Sequence, residues 1–229
     1  MKNLVVISLG GSLIIPKEVD YKFLNKFKST LRSLYKTHKF IIVCGGGSIA
    51  RDYIKALEKE HKSLKELSLA GIRATRENAR FMIQFFGKEA NSILPLDMIA
   101  VKSALHKNSV VICGALRYAE KETSDGTAAK LSHYLNCKFI NLTNVSGLYS
   151  SDPKKNKNAH LIRKISWKDF QKIASKIRFS AGQHFVLDQK AAKIIKKHKI
   201  STYIISGKDL KQLKNILQNK PFKGTLIKG

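Results

Sequence analysis

The sequence predicts an α/β fold, a largely parallel β-sheet covered by helices on both faces. Three observations lead there. Apolar runs of strand length alternate with amphipathic helical patterns along the whole chain. Glycine or polar loops follow several of those runs, beginning at Gly10, Gly45, Gly114 and Thr143. With 43% apolar residues in 229, there is material for a sizeable core, yet no apolar run approaches the length of a membrane span.

Residues 4–9 form the first apolar run and lead straight into Gly10-Gly11-Ser12. Asp20 is placed to cap a helix whose Phe23, Leu24, Phe27, Leu31 and Leu34 make one apolar stripe. A second strand is expected over 41–43, followed by Gly45-Gly46-Gly47 and a helix from about Ser48 with Tyr53, Ile54 and Leu57 facing inward. A longer helical pattern runs over 64–86 and stops at Gly87. Pro95 opens a short helix, and 110–113 make a strand ending at Gly114. After a polar loop, Asp125 is expected to cap a helix through Leu131 and Leu135. A strand over 139–142 runs into Thr143-Asn144, and Ser166 to Asp169 reads as a capping box above Phe170, Ile173 and a core Trp167. Ala181-Gly182 precedes a helix containing Ala191, Ala192 and Ile195; a strand over 202–205 and a helix near Asp209 follow. Residues 224–227 suit an edge strand.

Cys44, Cys113 and Cys137 are widely spaced, each in or beside a strand-like run, and read as buried thiols in a reducing compartment, the cytoplasm. The N-terminus lacks signal-peptide organisation. The seven histidines are scattered and show no metal-ligand spacing, and no Ser/His/Asp or Cys/His nucleophile set is apparent. The net charge of +27 is spread over nearly every helix and loop, without the interleaved aromatics of an RNA-binding signature. It reads as a solvated lysine-rich surface that draws in anionic nucleotides by long-range steering, with specific nucleic-acid binding unsupported.

Chemistry concentrates after the strands. In residues 40–51, a buried strand, three glycines and a helix start place backbone amides and the positive end of a helix where an anion can sit. Arg51, one turn in, supplies a fork of donors. The spacing matches neither the P-loop nor the dinucleotide fingerprint, and three glycines alone also suit a tight strand-to-helix turn. Ligands of such sheets collect beyond the carboxyl ends of the strands, where a second glycine loop, Thr123-Ser124-Asp125 and a Thr143-Asn144…Tyr149…Asp152 cluster would share one rim. That set suits two phosphorylated ligands meeting head to head for phosphoryl transfer, with Mg²⁺ on the donor phosphates.

In these segments the chain resembles the uridylate (UMP) kinases of the amino acid kinase superfamily, the archaeal-type branch above all. The carriers, in order, are residues 7–13, 45–54, 71–79, 123–125, 143–153 and 188–193. The resemblance spans essentially the whole chain and implies one three-layer αβα sandwich domain over 1–229, with an acceptor-side half (1–114) and a nucleotide-donor half (115–229). It also implies ATP-dependent conversion of UMP to UDP and assembly into hexamers.

Position by position, it implies that Ser8, Leu9, Gly10, Gly11 and Ser12 cradle the transferring phosphate of ATP, with Gly47 and Arg51 at the donor–acceptor junction. Thr143, Asn144, Tyr149 and Asp152 would line the rest of the ATP pocket. Gly46, Ser68, Thr123 and Ser124 would hold UMP. Asp125 and Arg51 would be catalytic, Asp125 organising the cations around the transferred group, and Mg²⁺ would arrive on ATP with no metal ligand from the protein. Ser8 stands where many superfamily members have a lysine, which the archaeal-type branch often lacks too; the chain departs from the family at Ser68 (usually Asp), Ser146 (usually Asp) and over the longer 115–122 loop. Those departures leave two other readings open, a different phosphate-bearing acceptor or a catalytically silent nucleotide-binding homologue. Lys130, Lys190 and Lys193 are candidates to replace the missing lysine.

Overall fold

A run of β-branched and apolar residues, Leu4 to Leu9, has only one stable use in water, a strand covered on both faces. In the computed structural model it is β1 (Asn3–Leu9), fully buried from Val5 onward. The structure describes residues 2–118, 123–151, 153, 156–176 and 186–229. The strand β1 lies between β2 (His38–Cys44) and β4 (Lys138–Thr143), parallel to both. With β3 (Val110–Cys113), β5 (Lys164–Ile165), β6 (Thr202–Ser206) and β7 (Thr225–Ile227), they form a sheet of order β3-β2-β1-β4-β6-β7-β5.

Two apolar layers sandwich that sheet because its residues alternate between faces. Ile7, Leu9, Phe40 and Ile42 pack with Leu24, Phe27, Met82 and Phe86 on one side. Val6, Ile41, Val43 and Phe139 pack with Leu131, Phe170, Ala192 and Ile195 on the other. The first layer is covered by α2 (Tyr21–Arg32) and α4 (Leu64–Phe86), and later α9 (Leu210–Leu217). The second is covered by α5 (Met98–Lys107), α6 (Ser124–Tyr134), α7 (Trp167–Ser175) and α8 (Gln189–Lys197). A short α1 (Gly11–Ile14) and α3 (Gly47–Lys59) complete the helices used below.

Local signals explain most boundaries. Asp20 accepts from Phe23 N–H at 2.9 Å, Ser63 forms a reciprocal capping box with Glu66, and Gly87 closes α4 at φ +58°. Ser166 caps α7, and the Trp167 indole donates to Ile200 O at 2.9 Å. All three cysteines are free; Cys44 and Cys113 are buried and Cys137 half-buried. Among the described residues no helix is long and apolar enough to cross a membrane.

Several expectations are corrected. Tyr53 does not face inward; it is 56% exposed, and Ile54 and Leu57 pack with Leu67 and Ala70 without it. The short helix opens at Met98 behind an Asp97 cap, three residues after Pro95. The C-terminal strand is not an edge: β7 runs antiparallel to β6, and the two-residue β5 pairs with its outer side. Asp125 is not the cap of α6; Thr123 is. The Ala181-Gly182 turn lies outside the described residues.

Candidate active site

The parallel register brings the ends of β1, β2, β3 and β4 to one edge: Leu9 pairs with Cys44 and Leu142, and Val43 with Cys113. Each chain then turns over that edge. Gly10 N–H donates to Leu142 O at 3.1 Å, and Gly45 N–H to Leu9 O at 2.9 Å. The two glycine loops therefore start side by side, and beyond the strands they touch. A Cβ on Gly11 would lie 2.2 Å from Gly47 N and 2.6 Å from Gly45 O, and one on Gly47 would lie 2.8 Å from Gly11 C. Gly47 also has φ +65°, which side-chain-bearing residues rarely adopt. The first-turn amides of α3 emerge at this contact without intrahelical acceptors, and they are the natural seat for a phosphate. Leu9 itself is fully buried among core side chains, so only its backbone reaches the rim; Ser12, Gly46 and Arg51 are half-buried there.

Asp125 comes to the same place from the far half of the chain. Thr123 takes over the capping of α6, its Oγ1 accepting from Gly126 N–H at 2.9 Å, and this leaves the Asp125 carboxyl free to turn inward. Its Oδ1 accepts from Ser8 Oγ at 2.7 Å, across 117 residues of sequence. Thr123 Oγ1 in turn donates to Asp188, whose other oxygen accepts from Ala191 N–H at 2.9 Å and caps α8. Two carboxylates thus share one corner of the rim. Burial, and then the Asp188 charge, push the Asp125 carboxyl up to about 7, while the Ser8 hydroxyl acts in the opposite direction.

Helix α4 braces both sides of this corner. Buried Asn78 donates to Gly45 O at 2.7 Å. One turn earlier, Thr75 Oγ1 accepts from Ala115 N–H at 2.9 Å, and Arg76 sends Nε to Ala115 O at 3.0 Å and Nη2 to Leu116 O. A Cβ on Gly114 would stand 2.7 Å from the Thr75 carbonyl carbon, so loop and helix pack backbone to backbone. Sequence reasoning left Arg76 and Asn78 without a role and missed Thr75 and Asp188. Their partners are 33 to 65 residues away, so no local pattern marks them.

The remaining residues lie along the same edge. Thr143 ends β4, and its carbonyl accepts from Gly207 N–H at 2.8 Å; Asn144 is exposed beside it. The segment to Tyr149 is pinned to β7, because Thr225 Oγ1 accepts from Leu148 N–H at 2.8 Å and donates to Ile162 O at 2.6 Å. Tyr149 pairs with Leu161 and is half-buried. Ser68 is half-buried on α4, Ser124 opens α6, and Asp152 lies outside the described residues. A cleft of about 410 Å³ lined by Lys2, His38, Lys138 and Asn219 sits at the opposite, amino-end edge. We place the site at the carboxyl ends, where loops and charges converge and where parallel sheets bind ligands.

Residues 3–206 match the sequence profile of the amino acid kinase family. The chain belongs to that family. Its relatives include the uridylate kinase of Thermococcus sibiricus, 33% identical over 224 residues and covering 97% of this chain and 98% of that one. Another is the uridylate kinase of Archaeoglobus fulgidus, 35% identical over 204 residues, 89% of this chain and 90% of that one. The crystal structure of the A. fulgidus uridylate kinase superposes with a TM-score of 0.83 at 34% identity, over 99% of this chain and all of the other. That of the Ureaplasma parvum UMP kinase gives 0.82 at 19% identity, a likeness of fold alone. At the end of β1 a neutral hydroxyl, that of Ser8, meets Asp125.

Proposed function

We propose that this protein catalyses ATP-dependent phosphorylation of UMP to UDP, by in-line transfer between two nucleotides seated on the glycine loops. The observation that carries the reading is the Gly11–Gly47 backbone contact, which merges the two loops into one seat. Family membership and the archaeal uridylate kinases among the relatives support the choice of reaction. Residues 1–114 form the acceptor side and 115–229 the donor side of one domain.

Gly10, Gly11, Ser12 and Gly47 cradle the transferring phosphate with backbone amides, and Arg51 bridges donor and acceptor as a fork of hydrogen-bond donors. Thr143, Asn144, Tyr149 and Asp152 hold the ATP base and ribose side, while Gly46, Ser68, Thr123 and Ser124 hold UMP. When bound, Mg²⁺ carried on ATP would supply charge neutralisation at the donor phosphates, with no ligand from the protein. The neighbouring Asp125 and Asp188 carboxyls would attract that ATP-borne cation by charge, without serving as its ligands. Once ionised, Asp125 holds cationic groups at the transferred phosphoryl, and the Ser8 hydroxyl fixes its orientation. The enzyme acts in the cytoplasm as a hexamer.

A coupled ADP-release assay over a panel of nucleoside and small-molecule phosphates tests this. UMP should give the highest kcat/KM. Preference for another acceptor, which Ser68 in place of the usual Asp would favour, replaces UMP as the substrate. ATP binding without turnover on any acceptor overturns the enzymatic reading.

A further inference from the structure

The second half of the chain is far more one-sidedly basic than the first. Residues 123–229 contain 22 Lys and Arg against 5 Asp and no Glu, whereas residues 1–122 contain 21 against 11. The four of these acids that lie among the described residues are occupied. Asp125 meets Ser8, Asp188 caps α8, Asp169 is tied to Ser166, and Asp209 binds Gln212 Nε2 at 2.8 Å at the start of α9. The three ion pairs between described residues all lie in the first half.

These cations are ordered on the outer face of α7 and α8. Lys168, Lys172 and Lys176 recur at one-turn intervals along α7 and its C-cap, each exposed. Lys193 and Lys197 do the same on α8, with Lys196 between them donating to Gln171 Oε1 of α7 at 3.0 Å. The inner faces explain the order: Phe170, Ala174, Ala191, Ala192 and Ile195 are buried against the sheet, which leaves the lysine rows pointing outward. Six cations over about three turns of two adjoining helices form a ridge on the scale of a duplex, whose axis carries one phosphate charge per ~1.7 Å.

We propose that the α7–α8 ridge binds the phosphodiester backbone of double-stranded nucleic acid without reading its sequence. The ridge favours a duplex over a single strand because the described residues of α7 and α8 offer no exposed stacking aromatic: Trp167 is half-buried with its indole committed to Ile200 O. It favours nucleic acid over a lipid surface because, among the described residues, the exposed large apolar ones, Val19 to Tyr134, all lie outside α7 and α8. This is a sequence-independent affinity, separate from the base-specific recognition for which the chain has no signature.

Anisotropy of a labelled random-sequence duplex of about 20 base pairs, titrated with the full chain between about 50 and 200 mM salt, tests the proposal. Binding should weaken steeply with salt. The variant Lys168→Glu, Lys172→Glu, Lys176→Glu, Lys197→Glu should lose at least tenfold in affinity and flatten the log–log salt slope by about 3 to 4. The control Lys22→Glu, Lys26→Glu, Lys55→Glu, Lys59→Glu makes the same change in net charge on α2 and α3 and should stay within threefold of the parent. Circular dichroism should show both variants folded. Equal losses in the two variants, no duplex binding by the parent, or tighter binding to phosphatidylserine vesicles than to duplex would each overturn the assignment.

Discussion

Gly11→Ala is the most direct test of the seat. Gly11 is not among the residues with positive φ, so alanine meets no backbone strain and the perturbation is steric. Its new methyl would lie 2.2 Å from Gly47 N, 2.6 Å from Gly45 O and 2.6 Å from Gly47 Cα, all of them backbone atoms that no rotamer change can move. Ordinary contact requires a retreat of roughly 1 Å, a misplacement on the scale that costs about 100-fold when it falls on a catalytic constellation. Overpacking of this kind costs about 1–3 kcal/mol, or about 2–12 °C in Tm for a chain of this size. The expected outcome is a folded protein with slightly lowered Tm and kcat/KM reduced about 100-fold in the ADP-release assay. Gly71→Ala is the matched control, because its methyl meets only Ile54 Cδ1 at 3.5 Å in mid-helix, and it should raise stability by about 0.4–1 kcal/mol. A Gly11→Ala enzyme within threefold of the parent would refute the claim that the two loops must touch to work.

Asp125→Asn should cut turnover at least 100-fold, with a circular dichroism spectrum like the parent's, because it removes the charge and keeps the shape. Since Asp125 is raised from 3.8 to about 7 in the folded protein, the folded state holds a proton that the unfolded state releases first. Its contribution to stability is therefore full below about pH 4 and is lost as pH climbs to about 7. Tm of the parent should carry this downward component across that window, and the difference between parent and Asp125→Asn should trace it. A parent and variant with parallel Tm–pH curves would contradict the shift. Arg76→Ala should raise the acceptor KM roughly ten- to a hundredfold with little change in kcat, since it loses charged hydrogen bonds worth about 1.5–3 kcal/mol to the Ala115 and Leu116 carbonyls, at the head of the segment that leads to the proposed acceptor contacts Thr123 and Ser124. Arg76→Lys should recover only part of this, because an ammonium lacks the fork. Asn78→Ala strands the buried Gly45 carbonyl and should destabilise by about 1–3 kcal/mol in denaturant titration.

What was legible in the sequence follows a physical line. Strands such as β1 and β2, buried on both faces, show as unbroken apolar runs, and helices such as α2 and α4 carry both their stripe and their caps. The glycine loops were legible for the same reason, since a turn against an anion admits few residue types. Position within the sheet was not: 224–227 looks like an edge strand because the partner of β7, β5, is two residues long and has no periodicity to detect. Asp125 looked like a helix cap because Thr123 and Asp125 both have capping side chains, and only the 2.7 Å bond from Ser8 separates their roles. Tyr53 illustrates the opposite error, an apolar body at an inward-looking position that the neighbouring Ile54 fills alone. Arg76 and Asn78 act on carbonyl groups, and a carbonyl has no residue identity to recognise.

The joint between Gly11 and Gly47 also settles where movement is allowed. Atoms of two main chains in contact, each hung from the end of a central strand, leave no slack for a hinge. Any rearrangement around the proposed seat must come from elements other than these two loops, while the floor that they form stays still.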